Sequence, residues 1–525
     1  MSLISEAFLI FAAGLILLYF LVPKRVQWCC LLAFSCLFYL AGGWQYGVYI
    51  LITALSAYLC ALALGRMQKA KKAYIKSHRD TLTKEEKAAY KKRADRRCRW
   101  VMVLTLLLNV GILCVFKYSD FALAQIGRLL PHAGLPTTLG LVIPLGISFY
   151  TFQTIGYVVD VYWQKTEPQT NFLKLLLFIS FFPQITQGPI SQYNQLAPQL
   201  LAPHTFDYQN LRLGLQRMAW GFFKKMVLAD RAAPLVQTAF AQYGSMNGNQ
   251  VLLGAFLYSL QIYADFSGYM DIVCGLCQIL GIELTENFLR PYFSKSVAEY
   301  WRRWHISLGA WFKTYIYYPI AVSKLAKKAT AAGTKAFGKT FGKTVGASLA
   351  LVVVWFATGF WHGASWAYII WGGINGLAII LSLWFEPVFD RLKAACRIHE
   401  QGFWWRAFAT LRTFFIVTMI KVFPEVGSFS AGLGYWRHCF KNWDLTLGAN
   451  LFYPIVSYKD LVILAAGALL LFGVSLLQRK GSLRAKIAKL PLPLRYGLYV
   501  AVFFAIILLG VPTQSQGGGF LYAQF

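Results

Sequence analysis

Charge is scarce in this chain, and acid is the scarcest part of it. Asp, Glu, Lys and Arg make up 14% of 525 residues, with 21 acids against 51 bases. Soluble domains carry about a quarter charged residues, so an ordinary soluble globular protein is excluded. Familiar catalytic boxes are missing too. There is no His-Glu-x-x-His, no Cys/His box, no Walker loop and no dinucleotide fingerprint. "GISFYTFQTIG" holds no Gly-x-Ser-x-Gly elbow, so serine-hydrolase chemistry has no local support. The ten cysteines form no disulfide framework, because most (Cys29, Cys30, Cys36, Cys60, Cys114) lie in apolar runs where a thiol acts as a small hydrophobe. "CGLC" at Cys274–Cys277 has a redox spacing but sits in an apolar helix without a βαβ context. The N-terminus has no charged leader region or small-residue cleavage site, so its first apolar stretch reads as a retained span.

What is abundant is apolar length. The chain is 57% hydrophobic and 17% aromatic, with mean hydropathy +0.50. Its apolar residues fall in runs of about 17–25, the length that crosses hydrocarbon as a helix. They cover 3–22, 26–40, 46–64, 100–116, 139–161, 251–280, 344–385, 408–422, 461–477 and 496–509. The expected fold is therefore an all-α polytopic membrane protein, with about ten or more transmembrane helices plus broken or re-entrant helices. Residues 344–385 are too long for one crossing and should form two segments, or one crossing and a re-entrant piece. Segments such as "LLLFISFFPQITQGPI", interrupted by Pro and Gly, suit broken helices lining a cavity.

The formal charge of +30 sits mainly in loops: residues 66–99, the stretch after Ile320, and "QRKGSLRAKIAKLPLPLR". Lys and Arg beside spans mark the cytoplasmic side and favour anionic headgroups. No basic-plus-aromatic module points to nucleic acid. The rule predicts both termini outside and loop 66–99 inside, in a multi-pass protein. The chain divides into N-terminal helices (1–138), a core (139–385) and C-terminal helices with an aromatic tail (386–525).

Polar groups inside apolar runs mark internal sites. Asp265, Ser267 and Asp271 lie in "YADFSGYMDIVCG", and Ser267 and Asp271, four apart, share a helix face. They are candidates for a tunnel or substrate site; as structural groups they would pair with bases such as Arg290 or Arg302. Residues 287–320, read at helical spacing, put Tyr300, Trp301, Trp304, His305, Leu308, Trp311, Phe312 and Tyr315 on one broad face. An interfacial amphipathic helix looks similar, except that His305 lies on the apolar side. "TGFWHGASW" sets His362 in a stretch without charge from Gly346 to Trp384. Gly359 and Gly363, and Gly372 and Gly376, are pairs that let a second helix approach. His362 is then either an interhelical hydrogen-bonding group or a proton-transfer group in a cavity. His305, His362 and a carboxylate such as Asp265 could form a three-ligand zinc site, but no metal motif accompanies them, and no metal is expected.

"SKSVAEYWRRWHISLGAWFKTYIYYPI" followed by "TGFWHGASWAYIIWGGINGL" closely resembles the membrane-bound O-acyltransferase family. "FFPQITQGPI" and "YADFSGYMDI" resemble the bacterial branch that includes the alginate O-acetylation and teichoic-acid D-alanylation membrane proteins. The resemblance implies a ring of helices around a tunnel, with His362 and His305 as the catalytic pair. It implies transfer of a short acyl group, most simply acetyl, from a cytoplasmic thioester to an extracytoplasmic polysaccharide. The donor would be acetyl-coenzyme A or an acyl carrier protein, with no bound cofactor. A hydrolase-like envelope protein of the SGNH type would assist, and membrane lipids surround the chain. Trp304, Lys313 and Trp361 join the aspartates as tunnel candidates. Tyr522 in "FLYAQF" is a candidate acyl relay or an aromatic anchor. The chain departs from many relatives at Lys313–Thr314, where they carry Arg-Asp. Two readings from other classes remain beside this one: a transporter or flippase for a lipid-linked sugar, and a non-catalytic scaffold of an envelope complex.

Overall fold

The computed structural model describes residues 2–511 apart from 133, 135, 137 and 445–456, so Tyr522 lies outside the described residues. The regular elements among these residues are all helices, with no strand; one isolated antiparallel bridge pairs Phe288 with Trp304. The chain divides into two compact units, Met1–Gly214 with Leu276–Thr285, and Leu215–Gly275 with Glu286–Phe525.

The first unit is built from α1 (Glu6–Leu21), α2 (Gln27–Leu40), α3 (Gly47–Ser77), α4 (Lys84–Leu129) and α5 (Ile147–Tyr162). The short α6 (Phe172–Ser180), α7 (Phe182–Ile185) and α8 (Tyr193–Leu201) follow. Helix α5 begins only at Ile147, because Pro144 precedes it and Gly146 takes a φ of +69°. A side chain at Gly146 would meet the Ile185 carbonyl 1.9 Å away, so only glycine can make that entry. Buried polar groups stitch these helices. Gln27 donates to the carbonyls of Tyr19 and His204 and accepts from the His204 amide at 2.8 Å. The run 172–190 is broken between α6 and α7, as its Pro and Gly content predicts.

After α9 (Tyr208–Phe222), a π-helical segment at Phe223–Ala229 leads into α10 (Asp230–Ala241) and α11 (Gly248–Ile279). Then come α12 (Val297–Arg303), α13 (Ile306–Phe312), a second π segment at Lys313–Tyr317, α14 (Tyr318–Ala321) and α15 (Lys324–His362). Helix α15 folds back on itself at Gly338, whose φ is +80°. Its two arms pack glycine against threonine: side chains at Gly342 and Gly346 would lie 2.0 and 2.1 Å from Thr334 and Thr330 Oγ1. The chain ends with α16 (Trp366–Trp384), α17 (Glu386–Ala395), α18 (Phe403–Glu425), α19 (Phe429–His438), α20 (Tyr458–Leu477), α21 (Leu483–Ile487) and α22 (Leu492–Leu509).

Among the described residues, seven helices are long and apolar enough to cross a membrane: 44–77, 84–129, 341–362, 366–384, 403–425, 458–477 and 492–509. The long run 344–385 is two segments, separated at Gly363–Ser365. Many apolar side chains of these seven helices stay outside the protein interior, as at Ile507 (57% exposed) and Leu508 (75% exposed) in α22, which hydrocarbon rather than water accommodates. The protein is a multi-pass membrane protein.

Candidate active site

The two motif histidines belong to the second unit, and each is placed by a helix end. His362 is the last residue of α15 and is 6% exposed. Its Nδ1 lies 2.7 Å from the Thr358 carbonyl one turn back. A carbonyl only accepts, so Nδ1 carries the hydrogen and the neutral ring presents Nε2 as its basic nitrogen. Trp361 and Trp371 set their rings against the imidazole, at centroid distances of 4.8 and 4.9 Å. Glycine brings α15 and α16 close enough for this. A side chain at Gly359 would sit 2.5 Å from the Tyr368 carbonyl, and one at Gly372 2.5 Å from that of Trp355.

His305 is 2% exposed and joins α12 to α13 in the left-handed region, at φ +47°. Residues 287–320 are therefore not one amphipathic helix, as their spacing suggests. The helix stops at Arg303, Trp304 is extended, and a new helix starts at Ile306. A non-glycine residue at positive φ costs of order 1–3 kcal/mol and needs its surroundings to enforce it. Asn287 does so. Its carbonyl accepts the Ile306 amide at 3.1 Å, and its Oδ1 accepts the Ser307 amide at 2.9 Å. It thus caps α13 from a distant point of the chain, where His305 itself makes no side-chain cap bond. The Phe288–Trp304 bridge and the Leu289 amide to the Arg303 carbonyl, at 3.0 Å, complete the clamp.

Aromatic rings wall the histidines. Phe266 stands edge-on to His305 at 4.9 Å, and Trp361 lies 6.3 Å from it. Trp361 thus contacts both imidazoles. Trp304 packs on Phe288, Tyr300 and Tyr263 instead. Behind it lies Lys421, 7% exposed, with Nζ 4.5 Å from the Trp304 ring and donating to the Tyr292 hydroxyl at 2.8 Å. Tyr292 passes its own hydrogen to the Ser259 carbonyl. This cation–π hub fixes the tryptophan that precedes His305.

The aspartates serve a different cluster. Asp265 pairs with Lys225 at 2.7 Å, which also pairs with Asp230. Asp271 pairs with Lys224 at 2.6 Å and Arg217 at 2.9 Å, and Lys224 also donates to Ser267. Their partners are these residues rather than Arg290 or Arg302. Close backbone approach of Gly221 and Gly268 makes the network possible, since a side chain at Gly221 would meet the Gly268 carbonyl at 2.6 Å. The π segment turns the adjacent Lys224 and Lys225 toward different carboxylates. Lys313 is exposed, with Nζ 5.6 Å over the Tyr318 ring. Among the described residues no three His, Cys, Asp or Glu side chains converge as metal ligands.

Asn287, Lys421 and the lysine pair were not among the sequence candidates. A lysine inside the apolar run 408–422, and two in "GFFKKMVL", are charges within apolar stretches and could have been read as internal sites. Asn287 carries no comparable signal.

The comparisons with known proteins fall on this region. Residues 168–420 match the membrane-bound O-acyltransferase family. The chain is 34% identical over 281 residues to a probable alginate O-acetylase of Azotobacter vinelandii, covering 53% of this chain and 52% of the relative. It is 34% identical over 304 residues to a peptidoglycan O-acetyltransferase of Helicobacter pylori, covering 53% and 54%. A teichoic acid D-alanyltransferase of Streptococcus thermophilus is 26% identical over 340 residues, covering 62% and 76%. The chain thus spans about half the length of the O-acetylating relatives it matches. His305 and His362 of this multi-pass membrane protein both lie within the stretch, residues 168–420, that is similar to the membrane-bound O-acyltransferase family.

Proposed function

We propose that this protein is an O-acyltransferase that moves an acetyl group from a cytoplasmic thioester to a hydroxyl of an extracytoplasmic polysaccharide. The observation that carries the reading is the His362 tautomer: Nδ1 is committed to Thr358, so Nε2 is the basic nitrogen. The attacking hydroxyl gives its proton to Nε2 as its oxygen bonds to the thioester carbonyl carbon. The C–S bond then breaks, and the thiolate leaves as a thiol with the proton from Nε2. Base catalysis of this kind is worth about 10²–10⁴-fold. His305 orients the acyl group or stabilises the oxyanion. Tyr522, outside the described residues, is proposed as an acyl relay. Relatives named for alginate and peptidoglycan O-acetylation support a polysaccharide acceptor. An SGNH-type envelope partner is proposed with it, as are an inner-membrane location and extracytoplasmic termini. The transporter reading draws least support, because Asp265 and Asp271 are engaged by Lys225, Lys224 and Arg217.

The test is to incubate membranes containing the wild type, or His362→Ala, with radiolabelled acetyl-coenzyme A and acceptor polysaccharide. Label should reach polysaccharide only with the wild type, while His362→Ala keeps its folded yield. Label transferred equally by both would refute the assignment.

A further inference from the structure

The most concentrated charge in the chain lies far from the histidine motifs in sequence. Residues 66–99 hold fourteen Lys and Arg against four acids, a net +10 of the formal +30. They form the end of α3, a tight turn and the start of α4. The turn is well made. Thr83 and Glu86 exchange a reciprocal capping box, and the Glu86 carboxyl is held below the usual carboxylate range by the Thr83 backbone and side chain. Tyr74 stacks on Tyr90 at 4.2 Å, joining the two arms. The hairpin is two helical arms joined by a capped turn rather than an unstructured basic loop.

Between its arms is a concavity of about 420 Å³, lined by Lys71, Lys72, Lys76, Arg79, Lys87 and Lys91 with Ile75 and Gln164. Only Lys71 of the six has an acidic partner among the described residues, Asp95 at 2.5 Å. The other five are cations with no carboxylate against them. Small-molecule sites occupy about 300–1,000 Å³, and phosphate is the anion that converging cations of this density suit.

An anionic lipid headgroup is the bland occupant of such a patch, and helix geometry argues against it. Helix α4 turns apolar at Trp100, so at 1.5 Å per residue Lys91 stands about 14 Å and Lys87 about 20 Å below that point. Each headgroup layer is only about 5–8 Å deep, and an average tilt of about 20° shortens these distances by little. On this geometry the concavity lies in the aqueous phase beyond the lipid.

We propose that this basic hairpin is a binding site for a soluble, phosphate-bearing small molecule of nucleotide size. On the acyl-transfer reading, on which this naming rests, the ligand is the nucleotide end of the coenzyme A thioester donor. Lys72, Lys76 and Lys91 contact its phosphates.

The test uses the full chain in phosphatidylcholine nanodiscs, with direct binding of coenzyme A and of pantetheine, which lacks the phosphates. Coenzyme A should bind and pantetheine should not. Lys72→Glu/Lys76→Glu/Lys91→Glu should weaken coenzyme A by about tenfold or more with an unchanged melting temperature, and added salt should do the same to the wild type. Coenzyme A affinity unchanged in the triple variant overturns the site. So does a loss confined to binding of phosphatidylglycerol vesicles, which would assign the patch to lipid. Acetyl transfer that continues while the lysines prove irrelevant to coenzyme A overturns this site and leaves the transfer reading standing. Coenzyme A held by these lysines in a protein that never transfers acetyl has the reverse meaning.

Discussion

At the scale of residues, the candidate site depends on two imidazoles held in unequal ways. His362 is held by its own helix, through a bond to a carbonyl four residues back. His305 is held against its backbone preference by Asn287. Asn287→Ala removes the Oδ1 acceptor and leaves the buried Ser307 amide unsatisfied, a cost of about 1–3 kcal/mol. The melting temperature in detergent should fall, and acetyl transfer should fall further than stability alone accounts for, because the His305 backbone is released. His305→Asn makes a useful companion, since asparagine tolerates the left-handed region: it should keep the melting temperature and lose transfer. An Asn287→Ala protein that transfers like the wild type would show that the clamp has no bearing on the chemistry. The histidines were legible as candidates in the sequence, His362 because it stands in a stretch without charge and His305 because it lies on the apolar side of its segment. Asn287 was not, because its role depends on a contact across 20 residues of chain that no spacing rule encodes.

At the scale of elements, the glycine pairs were read correctly from sequence and the aromatic segment was not. Periodicity over 287–320 implies one amphipathic helix, and hydrophobic spacing cannot register a break that keeps its side chains buried on both sides. Broken at Trp304–His305 and loosened into a π segment at Lys313–Tyr317, the stretch presents His305 at a helix start instead of along a helix face. The two π segments were equally invisible, since one extra residue per turn leaves the composition unchanged. The α15–α16 contact offers a sharp test because adjacent glycines differ in what surrounds them. A side chain at Gly372 would meet the Trp355 carbonyl at 2.5 Å and the Gly359 Cα at 2.9 Å, whereas one at Gly373 meets nothing within 4 Å. Gly372→Ala should therefore push the helices apart, destabilise by about 1–3 kcal/mol and impair transfer by moving Trp371 off His362. Gly373→Ala should be neutral, or stabilising by up to about 1 kcal/mol. Thermal unfolding of the two variants side by side decides it; equal behaviour would mean the close approach does not hold the pair together.

At the scale of the whole molecule, the distribution of charge carries the mechanism's directionality. The proposed transfer, from a cytoplasmic thioester to an acceptor outside, needs a chain with fixed orientation, and loops rich in Lys and Arg resist translocation. Helices α3 and α4 extend about 46 and 69 Å at 1.5 Å per residue, well beyond the roughly 30 Å of hydrocarbon, so their charged ends must project from one face. On the proposed reading the hairpin would serve as the orienting mark and as the donor's first contact, and both roles require it to be cytoplasmic. Trypsin should cut within residues 66–99 in inverted membrane vesicles and spare them in sealed right-side-out vesicles, with the cut sites located by mass spectrometry of the fragments. Coenzyme A added beforehand should slow the cuts at Lys72, Lys76 and Lys91 relative to those at Arg96 and Arg97, which lie outside the concavity. Cleavage from the outer face alone would reverse the orientation. It would also put the phosphate site where no cytoplasmic thioester can reach it, so the two assignments stand or fall on the same digest.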